Sequence, residues 1–392
     1  MFAGKQASRV QPLLNLRTSA PAHYILSFLA SLANGDTPAG EIESLLRTIA
    51  PAHWEYLLTD AVRHHLHPLI FKNLKKNNLL HHIPHDVRVK IERNVVETTA
   101  YTSFLLEMGH RIMNAAEAKN LLLVPLKGMH FISHYYSPEE RPMRDVDFLI
   151  RRNDVALVEE LMEALGFQVF TGNLSLMFLK HFGGELKFKT KNGEMPAVVE
   201  TQWNIAEAPY LKRAFAFDPE WLIESVEGNR RLSPEAALVF SIFHLAVSHF
   251  FSRLIWLLDI HKIISVGSLQ WEKVLEIVEI FKMKKAFQIT IDLCREFFGT
   301  SVPDEISAPF LCSHPIIRKI VLESLSGRGR HPESGIITLL ICEHPIAFLF
   351  SFLFPGVEFV SLRYSLPPWK AFFYSLIRPF KLIFPNRTTA TI

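Results

Sequence analysis

The hydrophobic pattern of this chain changes period twice. From position 21 to about 118, apolar residues recur at three- and four-residue steps, as in Tyr24, Ile25, Phe28, Leu29 and Leu32 and again in Trp54, Leu57, Leu58 and Ala61. Such spacing predicts amphipathic helices. Asn34-Gly35-Asp36 and the prolines Pro51, Pro68 and Pro84 punctuate them, and a long helix is expected from Asp86, as its N-cap, towards Ala118. At Leu121 the pattern turns strand-like. Residues 121–126 form a short apolar run followed by Gly128 and a helical stretch through Tyr136. Residues 144–151 alternate around Val146, Phe148 and Ile150, residues 154–165 read as a helix closed by Gly166, and a strand begins at Phe167. Two further strand-like runs, 185–190 and 197–203, flank Asn192-Gly193, a strong hairpin signal. Helices then return over 234–251, 254–265 and 271–297, and the remainder is rich in Phe and Pro without a clear period.

The organisation expected is therefore a loose N-terminus (1–20), a helical region (21–118), an α/β unit (119–205), a second helical region (206–300) and a basic, Phe/Pro-rich segment (301–392). No internal repeat interrupts it. With 392 residues, 49% of them hydrophobic and 21% charged, the chain can bury a full core, which excludes wholesale disorder. A net charge of +3 gives no support to bulk nucleic-acid binding. Cys294, Cys312 and Cys342 have no CxxC spacing, which argues against a disulfide framework or zinc knuckle and suits a reducing cytoplasm. The N-terminus lacks the apolar run of ~7–15 residues that a signal peptide needs. The longest mainly apolar run, 345–356, falls short of the ~20 residues of a spanning helix, so no transmembrane segment is expected. The location expected is cytoplasmic, soluble or membrane-peripheral.

The candidate chemistry lies in the α/β unit. Asp145 and Asp147 sit two apart in a predicted strand, so both carboxylates share one face while Val146 and Phe148 point into the core. Like charges so placed repel unless protons or a cation neutralise them. Mg²⁺ takes such hard oxygen ligands together with substrate phosphates. Upstream, Lys127-Gly128 ends a strand and opens a helix, a geometry that aims backbone N–H groups and a positive helix end at an anion. Arg141, on the loop into the Asp strand, is placed to clamp a phosphate; the alternative for Lys127 and Arg141 is a pair of solvated cations. Glu200 lies in the otherwise apolar run Val198-Val199-Glu200-Thr201, where it needs either compensation or an edge strand turned to water.

The succession Leu126-Lys127-Gly128, then Arg141-Pro142-Met143-Arg144-Asp145-Val146-Asp147-Phe148-Leu149, then Val199-Glu200-Thr201-Gln202-Trp203 resembles the uncharacterised nucleotidyltransferase family of the DNA polymerase β superfamily. Trp54 through His64 and Pro68-Leu69 look like its N-terminal helical region. His249, Arg253, Trp256 and Asp259 look like its C-terminal signature, and the Tyr374 to Pro379 tail is similar, so the resemblance spans about 20–385. It implies an α+β fold, with a small mixed sheet flanked by N- and C-terminal helical regions. It also implies Asp145, Asp147 and Glu200 as ligands of Mg²⁺ or Mn²⁺, with an NTP as substrate. Lys127, Gly128 and Arg141 would steady the phosphates while a hydroxyl on a small molecule, protein or RNA attacks the α-phosphate in line. One departure stands out: Met129 follows Gly128 where the superfamily has Gly or Ser, which removes a hydroxyl and threatens to narrow the approach. The rival expectation is a catalytically silent module that binds a nucleotide or a partner.

The helical spacings 249→253 and 256→259 put His249 with Arg253 and Trp256 with Asp259 on neighbouring faces. They either contact base, ribose or acceptor, or form a buried polar network. His64, His65, His67, His81, His82 and His85 have no metal-ligand spacing and are expected to be exposed or capping. Motifs for a Ser nucleophile elbow, a dinucleotide fold or a P-loop are absent. Residues 361–392 hold Arg363, Lys370, Arg378, Lys381 and Arg387, no acidic residue, and interleaved aromatics from Tyr364 to Phe384. That composition suits a weak contact with an anionic membrane surface. Because Pro367, Pro368 and Pro379 interrupt any long helix, the expectation favoured is that these aromatics pack on the helical domain while the cations stay wet.

Overall fold

The computed structural model describes residues 22–383, apart from 192–194, 228–229, 267–268, 307–309 and 328–333. The loose N-terminus, Asn192-Gly193, Phe384 and Arg387 thus lie outside the described residues.

Five strands form one mixed sheet: β1 (Val124–Leu126), β2 (Val146–Leu149), β3 (Phe167–Val169), β4 (Glu185–Thr190) and β5 (Val198–Gln202), in the order β1-β2-β5-β4-β3. Only β2 and β5 run parallel. The period-2 alternation sorts their side chains into two faces. One face carries Val146, Phe148, Leu186, Phe188 and Val199, which pack with Leu105, Met108 and Ile112 of the long helix His85–Glu117 and with Val158, Leu161 and Met162 of the helix Val155–Ala164. The opposite face presents two cross-strand rows. Leu126, Asp147, Glu200 and Lys187 make the first; Val124, Leu149, Gln202 and Glu185 make the second. The apolar ends of these rows join a larger cluster that runs from Ile25 through Phe243 and Leu257 to Phe348, so the helices before and after the sheet share one core. The fold is α+β, with a small mixed sheet flanked by helices.

Several element boundaries differ from those expected. The long helix begins at His85 with Pro84 before it, so Asp86 belongs to its first turn and is not the cap. There its carboxylate still faces the positive helix end. The helix from Pro234 ends as regular α-helix at Phe243, continues as a π-helix over His244–Ser248 and breaks where Phe250 and Phe251 take positive φ. The run 271–297 is two helices, Trp271–Ile280 and Lys284–Phe298, because the chain turns at Lys282 (φ 56°) to bury Phe281 and Met283. The unassigned C-terminal part is helical, ending in Pro345–Leu353, Val357–Tyr364 and Pro368–Ile383. Among the described residues no single helix is long and apolar enough to cross a membrane, whereas Pro345–Leu353 and Val357–Tyr364 pass by length and composition as a pair bent by 50°.

Gly184 sets where β4 begins. It has φ +71°, and a Cβ there would lie 1.9 Å from the Asn204 carbonyl oxygen, while its own carbonyl accepts from the backbone N–H groups of Trp203 and Asn204. Gly184→Ala must both strain this backbone and push β5's exit away. A loss of about 2–4 kcal/mol is expected by urea denaturation, against about 1 kcal/mol for Gly172→Ala, where a positive φ meets open space. Equal losses at the two positions would show that the contact with Asn204 does not matter.

Candidate active site

The polar rows of the sheet open onto a hollow of about 560 Å³. It is closed on the far side by the His244–Ser248 π-helix and the start of the helix Leu254–Val266. All eight residues expected from the sequence line it: Lys127, Gly128, Arg141, Asp145, Asp147, Glu200, His249 and Arg253. A second π-helix, Leu179–Gly183, brings Gly183 to its edge. Such local widenings of a helix are frequent at functional sites.

The parallel register sets Asp147 directly beside Glu200, and both are buried. Asp145, half-buried, precedes the regular strand and does not lie within it. Lys127 takes φ +47° at the turn from β1 into the helix Lys127–His134, and its ammonium reaches Asp147 Oδ1 at 2.6 Å and Glu200 Oε2 at 3.6 Å. Lys187, opposite Glu200 on β4, donates to the other carboxylate oxygen and also pairs with Glu185 at 3.3 Å. Burial first, and then the carboxylates of Asp145 and Glu200, lift Asp147 well above the ordinary range, although Lys127 opposes this. Burial and Glu200 likewise lift Asp145. Burial also pushes Glu200 up, but Lys127 and Lys187 outweigh it and hold that carboxyl down. Burial opposes the charge on Lys127, yet Asp147 and Glu200 raise it above the usual lysine range, so it is an ammonium at any physiological pH. Four carboxylates, including Glu185, thus share two ammonium groups.

Asp145, Asp147 and Glu200 offer hard, acceptor-only oxygens, the donor set that suits Mg²⁺ or Mn²⁺ and not zinc. Among the described residues no group of three or more His, Cys, Asp or Glu side chains stands in position to hold a metal ion. The Lys127 ammonium lies between Asp147 and Glu200 instead, at 2.6 and 3.6 Å. The chemistry of the donors fits the ion; a closed coordination sphere is not preformed.

Arg141 corrects the expectation of a phosphate clamp and of a solvated cation alike. Its guanidinium is buried and bidentate to Asp259, with Nε to Oδ1 at 2.9 Å and Nη2 to Oδ2 at 2.7 Å, while Nη1 donates to the Pro142 carbonyl at 2.6 Å. The pair ties the loop before β2 to the helix Leu254–Val266. Met129 also departs from expectation. It is 1% exposed, packs in the sheet's other core against Gly109 and does not line the hollow, so it narrows nothing. Gly128 is required on packing grounds, since a Cβ there would lie 2.7 Å from Met143 Cγ.

His249 and Arg253 are not on one helix face, because the chain breaks between them. They are brought together through Trp256 instead. His249 stacks on its indole with ring centres 4.2 Å apart, and the Arg253 guanidinium lies 5.1 Å from the ring centre. Burial, then the charges of Lys127 and Arg253, push the His249 imidazole down to about 3, so it is neutral at pH 7. Next to it, His244 Nε2 and, on β5, Gln202 Oε1 are buried without a hydrogen-bond partner among the described residues while lining the hollow. Buried polar atoms left so are costly, and a bound polar ligand would relieve both.

Sequence reasoning assigned no role to Glu185, Lys187, Gln202 or His244. Alternation within 185–190 places Glu185 and Lys187 on one face, but only the hairpin register shows that this is the face of Glu200. The histidines near 65 were misjudged. His64, His65 and His67 are buried, with His64 Nδ1 accepting from the Leu254 N–H at 3.1 Å, whereas His81 is exposed and bonds to the Asn78 carbonyl as a local cap.

A mixed sheet bearing paired carboxylates beside a strand–glycine–helix turn is the arrangement that the resemblance to nucleotidyltransferases implies. A family model described as uncharacterised nucleotidyltransferase matches residues 50–299, and the chain belongs to that family. It is accordingly a nucleotidyltransferase. The match is narrower than the 20–385 expected and stops before the Tyr374 to Pro379 tail. No curated protein and no solved structure matches the chain.

The Arg141–Asp259 pair yields a stability test. Asp259→Ala leaves a buried guanidinium uncompensated and is expected to cost about 3–5 kcal/mol in urea denaturation, most of it recovered when Arg141→Met is combined with Asp259→Leu. A double variant no more stable than the single one would exclude the unpaired charge as the cause.

Proposed function

We propose that the chain is a Mg²⁺- or Mn²⁺-dependent enzyme that moves a nucleoside monophosphate from an NTP to a hydroxyl on a small molecule, a protein or RNA. The observation that carries this reading is the gathering of more carboxyl than ammonium groups on one face of the sheet, next to a hollow with room for a nucleotide. Asp145, Asp147 and Glu200 would hold the cation. When bound, such a cation supplies charge neutralisation at the phosphates and lowers the pKa of the acceptor hydroxyl.

The chain's own groups divide the remaining work. Lys127, on its strained turn, is freed from Asp147 and Glu200 once their charge is met otherwise, and it then serves the phosphates beside the Gly128 amide. The His249–Trp256–Arg253 stack supplies a neutral aromatic and cationic wall for the base. Gln202 orients Asp147 through an Nε2–Oδ1 hydrogen bond of 3.2 Å. The acceptor oxygen attacks the α-phosphate as the bond to pyrophosphate breaks in line. The Lys127 bridge is the one feature that favours the rival, a silent module: it fills the shared position of the carboxylates with a protein cation.

Asp145→Asn with Asp147→Asn is expected to abolish divalent-dependent ATP binding and leave the fold intact. Wild type held at ~100 times its Kd for Mg·ATP gains about 2.7 kcal/mol, which the double variant loses in a thermal-shift titration. Equal shifts in the two proteins count against the metal site. Incubation with labelled NTPs and Mg²⁺ or Mn²⁺ in cell extract separates the two functions. The enzyme labels an acceptor and releases pyrophosphate, whereas a silent module binds nucleotide and labels nothing.

A further inference from the structure

The two apolar helices at the C-terminal end are folded inside out. In Pro368–Ile383 the outward residues are Trp369, Phe372, Phe373, Leu376, Ile377 and Phe380, which recur at three- and four-residue steps and are all exposed, Trp369 at 63% and Phe380 at 66%. The inward face is small: Ala371 and Pro379 are buried, and Ser375 donates to the Pro355 carbonyl. In Pro345–Leu353 the same arrangement recurs. Ile346, Leu349 and Phe350, followed by Phe354, form an outward stripe, with Ile346 85% exposed, while Phe348 is buried against Tyr210. The two helices touch each other. Soluble surfaces do not expose contiguous apolar area of this kind without a partner.

Charge identifies the partner. Glu358, which pairs with His181 at 3.2 Å, is the last acidic residue of the sequence, and 359–392 carry Arg363, Lys370, Arg378, Lys381 and Arg387. Lys370 is exposed beside the stripe, with its ammonium 5.2 Å from the Trp369 ring centre. Arg378 lies over Phe352 at 5.0 Å. Outward aromatic and aliphatic side chains with the exposed Lys370 at their edge, in a segment with no acidic residue after Glu358, match the boundary between headgroups and acyl chains of an anionic bilayer. A second copy of the same face would bring like charges together. Length decides the mode of contact. A 16-residue helix extends ~24 Å, short of the ~30 Å hydrocarbon core, and its neighbours bend by 50°.

We propose that the helices Pro345–Leu353 and Pro368–Ile383 dock this protein in the plane of an anionic membrane surface, with their outward apolar stripes inserted and Lys370 among the headgroups. This inference is independent of the nucleotidyl-transfer reading. The intervening helix Val357–Tyr364 rests on the chain leading into the active site, because Phe359 packs edge-on against Phe178 and Phe182, immediately before Gly183 at the hollow's edge. The docked face is thus joined to the active-site wall through a cluster of three rings.

The test is sedimentation of the full chain with sucrose-loaded vesicles of phosphatidylcholine, with and without phosphatidylglycerol. Binding is expected to the anionic vesicles, at least about tenfold weaker on phosphatidylcholine alone, about tenfold weaker for Phe372→Ser with Phe373→Ser, and about fivefold weaker for Lys370→Ala. The substituted side chains are exposed, so the variants should melt as wild type does. Should the double serine variant misfold, Lys370→Ala alone carries the comparison. No binding, equal binding to neutral and anionic vesicles, or a dimer that the serine variant converts to monomer would each overturn the proposal.

Discussion

Two strands that run parallel set Asp147 and Glu200 side by side on a buried sheet face, and the rest of the site answers to that juxtaposition. Neighbouring strands lie ~4.8 Å apart, a separation at which two desolvated carboxylates repel strongly. Asp145 and Glu185 add to the load from the same side. Lys127 and Lys187 meet part of it. Lys127, which reaches both carboxylates, sits at the turn after β1 in a left-handed conformation that a non-glycine residue rarely takes. Strain of this kind is retained where the surroundings over-determine it.

The hollow exists because the helical region is held at a fixed distance from the sheet. Leu126 and Leu149, the apolar ends of the polar rows, belong to the same core as the helix Leu254–Val266. The buried Arg141–Asp259 fork sets a different spacing at the carboxylate end, since its geometry tolerates little displacement. Arg141 is therefore better understood as a structural strut of the site than as a contact for phosphate. His249, Trp256 and the Arg253 guanidinium then line the same hollow as the carboxylates, giving it an aromatic and cationic wall beside the carboxylate-bearing sheet face.

How much of this was legible in the sequence follows from how local each signal is. Asp147 was readable because strand alternation sets it opposite Val146 and Phe148, and Glu200 because a carboxylate in an apolar strand demands an explanation, whereas Asp145 lies just before the strand, where alternation does not apply. Lys187 and Glu185 were not, since their membership depends on hairpin register, which pairs residues across a turn. Asp259 lies 118 positions from Arg141, and no local pattern announces that contact. Met129 misled for the opposite reason. A motif position was treated as facing the ligand, although one step along a helix rotates a side chain by ~100°, here into the core behind the sheet.

The C-terminal helices show a harder limit, because composition is blind to direction. A basic, aromatic segment broken by prolines is equally consistent with rings packed inward and rings turned outward, and the prolines tilted the expectation towards packing. What decides the matter is the position of the small residues. Ala371, Ser375 and Pro379 fall four apart, which gives the helix Pro368–Ile383 a narrow side that can approach the rest of the chain closely. Once that side is committed inward, Trp369, Phe372, Phe373, Leu376, Ile377 and Phe380 have only the outward direction left. The helix carries Pro379 inside its last turns, without the hydrogen bond to the Ser375 carbonyl and with its ring crowding that group. The same small-residue spacing that permits close docking therefore forces the large apolar side chains into contact with whatever lies outside.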